Sequence, residues 1–547
     1  ALVLYISGVL SFDSFSSSYV NLSLVILIGF VLLSSVLEKT IFLTAFSQHM
    51  LSKNLRASLL RLGLGVGVAS AFLNNTAVVA ALMGPLRRQK ALPFKKLLLP
   101  LSYFSILGGV LTLVGTSTNL LVNGFVIQVG LDAFNLFDFS LIGLAVLLAC
   151  GLVVVFISSY LLPSGDVDRS NENFAAYFIE RQVADWSSLI GKTVQANKLR
   201  QLHDLYLVEI IRDGRVIAPV VSKEVICAGD RLVFSGDVSA VDILNQFNGL
   251  VALVAPNQAE EQKGQSQLVE VAVSPSSIML GRSVKEADFR SRFDAGIVAI
   301  RRGEQQISGG IGRYRFQAGD SLILSVGDDF KTRRELLQNF ILVGEVSLND
   351  QLATGKSVGV LFGFLGVIVA AALGASLVKG VLLLLGLCVA FKVVRINDLR
   401  RRFPFDLVLV IGGALCLAKA MAEVGLDTDL AHLVNGLFGS SAFMAYVGVF
   451  VLTWLLTEVI TNNAAAALAF PVAVATAEIW QVSPYPFILA VIFGASASFV
   501  SPFGYQTNLM VFSVGQYKVK DYVKAGLPVL VVYLVTAVST IPLLFPF

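Results

Sequence analysis

Two long stretches of this chain, residues 1–162 and 355–547, are apolar almost without interruption, and they enclose a stretch, roughly 166–350, with a charged residue every few positions. A helix needs about 20 apolar residues to cross a bilayer. Tyr19–Leu37, Leu141–Leu162, Leu361–Lys379, Val381–Val394, Phe405–Met421 and Leu527–Phe545 are runs of this kind. They are apolar on every side, whereas a water-soluble helical core needs amphipathic partners. Only 14% of the 547 residues are charged, against about 25% in a soluble globular chain. The two ends therefore read as membrane-embedded halves, residues 1–163 and 351–547, around a soluble insert at 164–350.

A net charge of +4 over this length excludes a nucleic-acid binder driven by bulk charge. Cys150, Cys227, Cys388 and Cys416 lack CxxC spacing, and His49, His203 and His432 lie far apart. That scatter supports neither a disulfide framework nor a zinc site. No nucleophile–base constellation is present, so an enzyme is not expected, nor an organic cofactor. The chain opens on Ala1 and its first apolar run is cut short, which points to a few native residues ahead of it.

The insert contains a repeat. Leu189-Ile-Gly-Lys-Thr-Val and Met279-Leu-Gly-Arg-Ser-Val open the two copies, and Ala228-Gly-Asp-Arg-Leu-Val-Phe and Ala318-Gly-Asp-Ser-Leu-Ile-Leu close them. Short alternating runs (Leu205–Ile211, Leu232–Ser235, Ala295–Ile300, Leu322–Ser325) between Gly-Asp or Asp-Gly turns predict small β-rich modules. The copies, at about 180–250 and 266–332, resemble the TrkA-C domain of potassium-conductance regulators. The resemblance implies a dimerising module, with a small-molecule regulator or as a plain spacer. A dinucleotide site needs GxGxxG between a strand and a helix. Neither Gly63–Ser70 nor Gly310–Arg315 has that context, so no NAD(H) site is expected.

The most informative residues are small polar clusters inside the apolar halves. The first half has Leu73-Asn-Asn-Thr-Ala-Val and then Gly115-Thr-Ser-Thr-Asn-Leu; the second has Thr461-Asn-Asn-Ala-Ala and then Ser501-Pro-Phe-Gly-Tyr-Gln-Thr-Asn-Leu-Met. Order and spacing agree between halves, the repeated-half signature of secondary transporters. Such residues break helices, and in lipid a broken helix persists only where protein or a wet cavity surrounds it. Helix–helix packing by small residues explains one such cluster, but poorly explains four in matched pairs.

Flanking charges predict topology, because cytoplasmic loops are enriched in Lys and Arg. Lys53, Arg56 and Arg61 precede the first Asn-Asn cluster, and Arg87, Arg88, Lys90, Lys95 and Lys96 follow it. The chain thus enters and leaves from the cytoplasm, as a re-entrant hairpin at about 55–88 with its tip at Asn74–Thr76. The second cluster is flanked by Glu423, Asp427, Asp429 and Glu478, with no Lys or Arg between Lys419 and Lys518. A hairpin at about 440–480 dipping in from outside is expected, making the halves an inverted repeat. Arg395–Arg402, Lys518–Lys524 and the insert fall inside and Asp132–Asp138 outside; Lys379 alone dissents.

At each tip a new helix begins in mid-membrane with Asn or Thr as its N-cap. Its free N–H groups and positive dipole end favour an anion. The carbonyls that end the preceding arm, with Asn and Thr oxygens, suit a hard monovalent cation. Gly115–Asn119 and Ser501–Asn508 do the same where a crossing helix unwinds. Glu458, just before the second tip, either carries a coupling cation or proton or pairs with a polar neighbour in a wet cavity.

On the four motifs Ala71-Phe-Leu-Asn-Asn-Thr-Ala-Val-Val-Ala-Ala-Leu, Gly115-Thr-Ser-Thr-Asn-Leu-Leu-Val, Thr461-Asn-Asn-Ala-Ala-Ala and Pro502-Phe-Gly-Tyr-Gln-Thr-Asn-Leu-Met, the chain resembles the divalent anion:sodium symporter family. That family is solute carrier 13-like, within the ion transporter superfamily. The chain is most similar to the branch with TrkA-C domains between the halves, where sulfate is the usual substrate. The resemblance implies a polytopic α-helical membrane protein with inverted repeats and two re-entrant hairpins, plus a cytoplasmic α+β insert of two TrkA-C-like domains. It further implies a homodimer in a bacterial inner membrane, working as an elevator. Substrate would meet Asn74, Asn75, Thr76, Ser117, Thr118, Asn119, Asn462, Asn463, Thr507 and Asn508. One sodium ion would sit among Asn75, Gly115, Thr116 and Asn119, and a second among Thr461, Asn463, Gly504 and Asn508, with Glu458 as coupling carboxylate.

The family's dicarboxylate carriers show Ser-Asn-Thr at both tips; here the tips read Asn-Asn-Thr and Asn-Asn-Ala. Fewer hydroxyls favour a compact tetrahedral dianion, and sodium-coupled sulfate uptake is the leading expectation. Di- or tricarboxylate uptake and proton coupling are the alternatives within transport. A TrkA-C-gated channel would need a carbonyl filter like TVGYG, which Val500-Ser-Pro-Phe-Gly-Tyr-Gln imitates poorly. A membrane sensor would not need paired hairpins.

Overall fold

The computed structural model describes residues 1–20, 22–37, 39–40, 52, 54–88, 92–163, 178–199, 202, 205–213, 215–217, 220–236, 243–252, 267–274, 277–302, 305–307, 314–327, 329–330, 333, 336–342, 352–401, 403–439 and 441–547. His49, Lys53, Lys90, His203, Arg402 and the 310–313 part of the rejected dinucleotide stretch lie outside these residues.

The first half contains α1 (Leu2–Ile6), α2 (Phe12–Tyr19), α3 (Leu22–Leu37), α4 (Leu55–Ser70), α5 (Asn75–Arg88), α6 (Lys95–Gly109), α7 (Ser117–Gln128) and α8 (Ser140–Val153). A π turn, Val154–Ser158, carries α8 on to Leu161. In the insert, β1 (Phe178–Val183), β2 (Leu205–Arg212), β3 (Arg215–Ile217), β4 (Arg231–Gly236) and β5 (Leu250–Ala252) form one sheet. The second sheet has β6 (Gln267–Val273), β7 (Ala295–Arg302), β8 (Gln305–Ile307), β9 (Ser321–Val326) and β10 (Phe340–Leu342), with α9 (Phe289–Phe293) and α10 (Leu336–Asn339) beside it. The second half contains α11 (Thr354–Ala372), α12 (Leu377–Ala390), α13 (Ile396–Arg401), α14 (Phe405–Glu423), α15 (Leu426–Phe438), α16 (Ala442–Val459), α17 (Asn462–Trp480), α18 (Tyr485–Ser496), α19 (Gln506–Val514) and α20 (Val519–Leu544).

Among the described residues six helical stretches are long and apolar enough to cross a membrane: Phe12–Leu37, Ser140–Leu161, Thr354–Ala372, Ala442–Val459, Asn462–Trp480 and Val519–Leu544. α14 and α15 together form a seventh, bent by 78°. The expected run Leu361–Lys379 is displaced to Thr354–Ala372, because Gly374 takes φ +90° and ends the helix, a conformation glycine adopts without strain. Lys379 then falls in α12. The arms of the first hairpin, 16 and 14 residues, are too short to cross, whereas α16 and α17, with 18 and 19, are each long enough. The two hairpins are thus unequal, which the matched motifs do not reveal.

Both insert sheets share one strand order, β3-β2-β4-β1-β5 and β8-β7-β9-β6-β10. Each second strand carries a register shift at an equivalent place, between Leu207 and Glu209 and between Ile297 and Ala299. Arg212 grips Asp230 with two N–H donors, as Arg302 does Asp320. These are bidentate guanidinium–carboxylate pairs with the acid buried. The sheets meet through Val208, Val298, Ala299 and Ile323, with Ser325 donating to Glu209.

One apolar core runs through both membrane halves. α4 packs on α6 and, in the second half, α16 packs on α18. The second insert module docks on this body. Glu270 of β6 pairs with Arg87 at the end of α5, Ala272 and Ile341 join the membrane core, and Gly319 lies against the Leu509 carbonyl of α19. A Cβ at Gly319 would come within 2.5 Å of that oxygen.

Candidate functional site

Each of the four polar clusters begins a helix. α5 starts at Asn75, and Asn74 Oδ1 accepts the Thr76 N–H at 2.9 Å, the bond expected of an N-cap. α17 starts at Asn462, with Thr461 Oγ1 accepting the Ala464 N–H. α7 and α19 start after Thr116 and Tyr505, and neither of these N-caps bonds its own helix through its side chain.

These starts correct the pairing of the tips expected from sequence. Asn74 and Thr461 occupy the same position, so Asn-Asn-Thr matches Thr-Asn-Asn, and Ala464 is not the counterpart of Thr76. Sequence left this open because Thr461 and Asn462 are both good N-caps. Each tip therefore keeps one threonine, so the two tips are alike in their hydroxyls.

The unwound stretches before α7 and α19 are built alike. Asn119 Nδ2 donates to the carbonyls of Gly109 and Thr112, ten and seven residues earlier. Asn508 Nδ2 donates to Ser498 and Ser501, again ten and seven residues earlier. A helix break strands carbonyls that lack intrahelical donors, and one buried amide satisfies two of them in each half. Gly115 and Gly504 close both loops: a Cβ would meet the Gly109 carbonyl at 2.5 Å and Ser498 Oγ at 2.1 Å.

Each tip then touches the loop of the other half. Asn75 Nδ2 donates to Tyr505 Oη at 2.7 Å, and Thr76 Oγ1 lies 3.3 Å from Gln506 Oε1. Asn463 Oδ1 accepts from Thr118 Oγ1 at 2.9 Å and lies 3.4 Å from Ser117 Oγ. Tyr505 Oη lies 3.4 Å from Thr116 Oγ1, joining the two loops. Four helix N-termini thus come together. Asn74, Thr461 and Gln506 are exposed, and Thr76, Thr116, Ser117, Asn462 and Asn463 are half-buried, so the junction opens to solvent. Thr507 and Asn508 are fully buried instead, bonded to Ser102 Oγ at 2.8 and 2.7 Å.

Oxygens suited to a cation cluster around Gly109. Asn75 Oδ1 and Asn119 Oδ1 are buried without a hydrogen-bond partner. Gly109 adjoins both, since its Cβ would strike the Asn75 amide at 2.7 Å while its carbonyl binds Asn119. Gly115 packs on the same carbonyl, and Thr116 is reached through Tyr505. An amide oxygen buried unpaired costs about 1–3 kcal/mol, and a sodium ion would remove that cost.

The second expected set is divided. Asn463 points to the first half's loop, and Thr461 caps its own helix. Beside Gly504 lie the Thr457 carbonyl and the unpartnered Ser498 Oγ, while Thr457 Oγ1 reaches Asn462 Oδ1 and the Ala495 carbonyl. Both carboxyl oxygens of Glu458 are buried, facing the Trp454 indole and the Val500 backbone N–H. Sequence reasoning missed Ser102, Thr457 and Ser498, and gave Tyr505 no role of its own within Ser501–Asn508. Spacing could have found two of them: Thr457 precedes its N-cap by four residues, as Ser70 does, and Ser498 stands where the first half has Gly109.

Among the described residues no group of His, Cys, Asp and Glu could hold a metal ion, so the oxygens that remain for a cation are amides, hydroxyls, carbonyls and Glu458. The profile of the citrate transporter (CitMHS) family matches residues 1–484. An uncharacterized transporter of the cyanobacterium Synechocystis sp. is 30% identical, over 97% of this chain and 90% of its own. A putative sulfur deprivation response regulator of Chlamydomonas reinhardtii is 29% identical, over 99% of this chain and 96% of its own. Sodium/sulfate cotransporter 1 of the same alga is 28% identical, over 64% of this chain and 41% of its own.

Proposed function

The chain belongs to the citrate transporter family of the ion transporter superfamily, and from that premise we propose that it imports a divalent oxyanion, sulfate foremost, coupled to sodium. It is a multi-pass membrane transporter and not an enzyme. The observation that carries the substrate charge is the junction of four helix N-termini. Each such end carries roughly half an elementary positive charge, so four of them offset about the charge of a dianion. Among the described residues, the side chains that hydrogen-bond at the junction are uncharged. A dianion bound there travels with its charge uncompensated by Lys or Arg, and co-bound cations supply the balance.

Sulfate is preferred because relatives similar to part of this chain are named sodium/sulfate cotransporters. Asn75 Oδ1 and Asn119 Oδ1 supply the first cation position, with Gly115 and Thr116 adjoining it. The second forms around Gly504 with Thr457, Ser498 and Asn508, while Thr461 and Asn463 belong to the tip. The remaining parts of the reading are a homodimer, opposed re-entrant hairpins, an elevator movement and a cytoplasmic pair of TrkA-C-like modules. The shared strand order of the two modules supports the last of these.

The test is uptake of labelled sulfate by proteoliposomes under an inward sodium gradient. Saturable uptake that collapses with the gradient is expected. Uptake indifferent to sodium but lost with a pH gradient would replace sodium by protons, a second reading that the buried Glu458 carboxyl favours. Transport of citrate or succinate in preference to sulfate would remove the oxyanion assignment.

A further inference from the structure

We propose that Tyr505 is the specificity-determining residue of the anion site, where its phenol both donates to the anion and limits the size admitted. The proposal rests on the functional reading above.

Thr116 and Tyr505 are counterparts in the two halves. Each precedes the helix that follows an unwound stretch, three residues ahead of the Asn that ties the stretch together. Their backbones agree closely, with φ −141° and ψ 149° at Thr116 and φ −138° and ψ 138° at Tyr505. The side chains do not match: one half has a small hydroxyl residue and the other a phenol.

Position and chemistry make that difference consequential. Tyr is a poor N-cap, since its hydroxyl cannot fold back onto its own first turn. The ring instead spans to the other half, where Oη accepts from Asn75 Nδ2 at 2.7 Å. A phenol oxygen that accepts still has its own proton to donate. The other oxygen near it is Thr116 Oγ1, at a long 3.4 Å. With Thr116 as the donor in that long contact, the phenol proton is left for an anion at the junction, next to the exposed start of α19 at Gln506. The ring itself is buried, 9% exposed, and holds the space that a threonine would leave open. A tetrahedral dianion keeps both charges within one small group and needs less room beside the ring than a dicarboxylate, whose charges are separated by a carbon chain.

The experiment compares sulfate and succinate binding, by sodium-dependent thermal shift and calorimetry on the purified full-length protein, for wild type, Tyr505→Phe and Tyr505→Thr. Tyr505→Phe keeps the ring and should weaken sulfate binding at least about tenfold, the usual scale for a hydrogen bond to a charged group. Tyr505→Thr should raise the succinate-to-sulfate affinity ratio at least about tenfold. Unchanged sulfate affinity in Tyr505→Phe, or an unchanged ratio in a folded Tyr505→Thr, overturns the role of Tyr505 and leaves the transport reading intact. A wild-type protein that prefers succinate to sulfate overturns both.

Discussion

Asn75 and Tyr505 are 430 positions apart in the chain, yet the amide of one donates to the phenol of the other at 2.7 Å. That bond joins the tip of the first hairpin to the broken helix of the second half. Asn463 makes the reciprocal link to Ser117 and Thr118. The binding junction therefore exists only when both halves have folded against each other.

Alanine at Asn75 or at Asn463 should lower sulfate uptake in proteoliposomes at least about tenfold while the purified protein stays monodisperse. Each substitution deletes a polar group at the junction worth about 1–3 kcal/mol when its partner is left alone. Full activity in both variants would exclude the tips from the transport path.

Asn119→Ala and Asn508→Ala should destabilise the protein by similar amounts. Each leaves two carbonyls without their donor, all buried but the half-buried Ser501, at about 1–3 kcal/mol for each buried one. Thermal melts in detergent read this directly, and a loss in one half but not the other would deny the equivalence of the two loops.

Gly109→Ala places a methyl 2.7 Å from the Asn75 amide and should displace it. Overpacking of this kind costs about 1–3 kcal/mol. Beyond that loss, sodium should no longer stabilise the variant as it does wild type, because the two unpartnered amide oxygens adjoin this glycine. Sodium titrations followed by thermal shift decide the matter.

Glu458→Gln removes an ionisable group whose oxygens are buried. A buried charge persists only with a counter-charge or a proton. The sodium dependence or the pH dependence of uptake should therefore change in this variant, and uptake identical to wild type in both respects would assign Glu458 no part in coupling.

Breaking the Arg87–Glu270 pair by Glu270→Ala should loosen the second insert module from α5. Amide hydrogen exchange of β6 and β10, measured by mass spectrometry, is expected to speed up several-fold, since removing one member leaves Arg87 partly buried and unpaired. Unchanged exchange would show that the apolar contacts of Ala272 and Ile341 hold the module alone.

The sequence by itself determined the layout. Asn74, Asn75, Asn462 and Asn463 stand out because polar side chains in an apolar run must break a helix or find a partner, and both breaks lie where the motifs put them. The doubled insert was equally legible, since Gly-Asp turns and alternating strands are local signals that recur with the same order in both sheets. Tertiary structure decided the register of the second tip, where two adjacent residues cap equally well and only the helix start at Asn462 chooses Thr461. It also decided which groups meet. Ser102 with Asn508, Tyr505 with Asn75 and Ser117 with Asn463 are pairings between halves, separated by hundreds of residues. No local pattern encodes such contacts, because they depend on how two independently patterned helical layers pack, and packing fixes partners only once the chain has closed on itself.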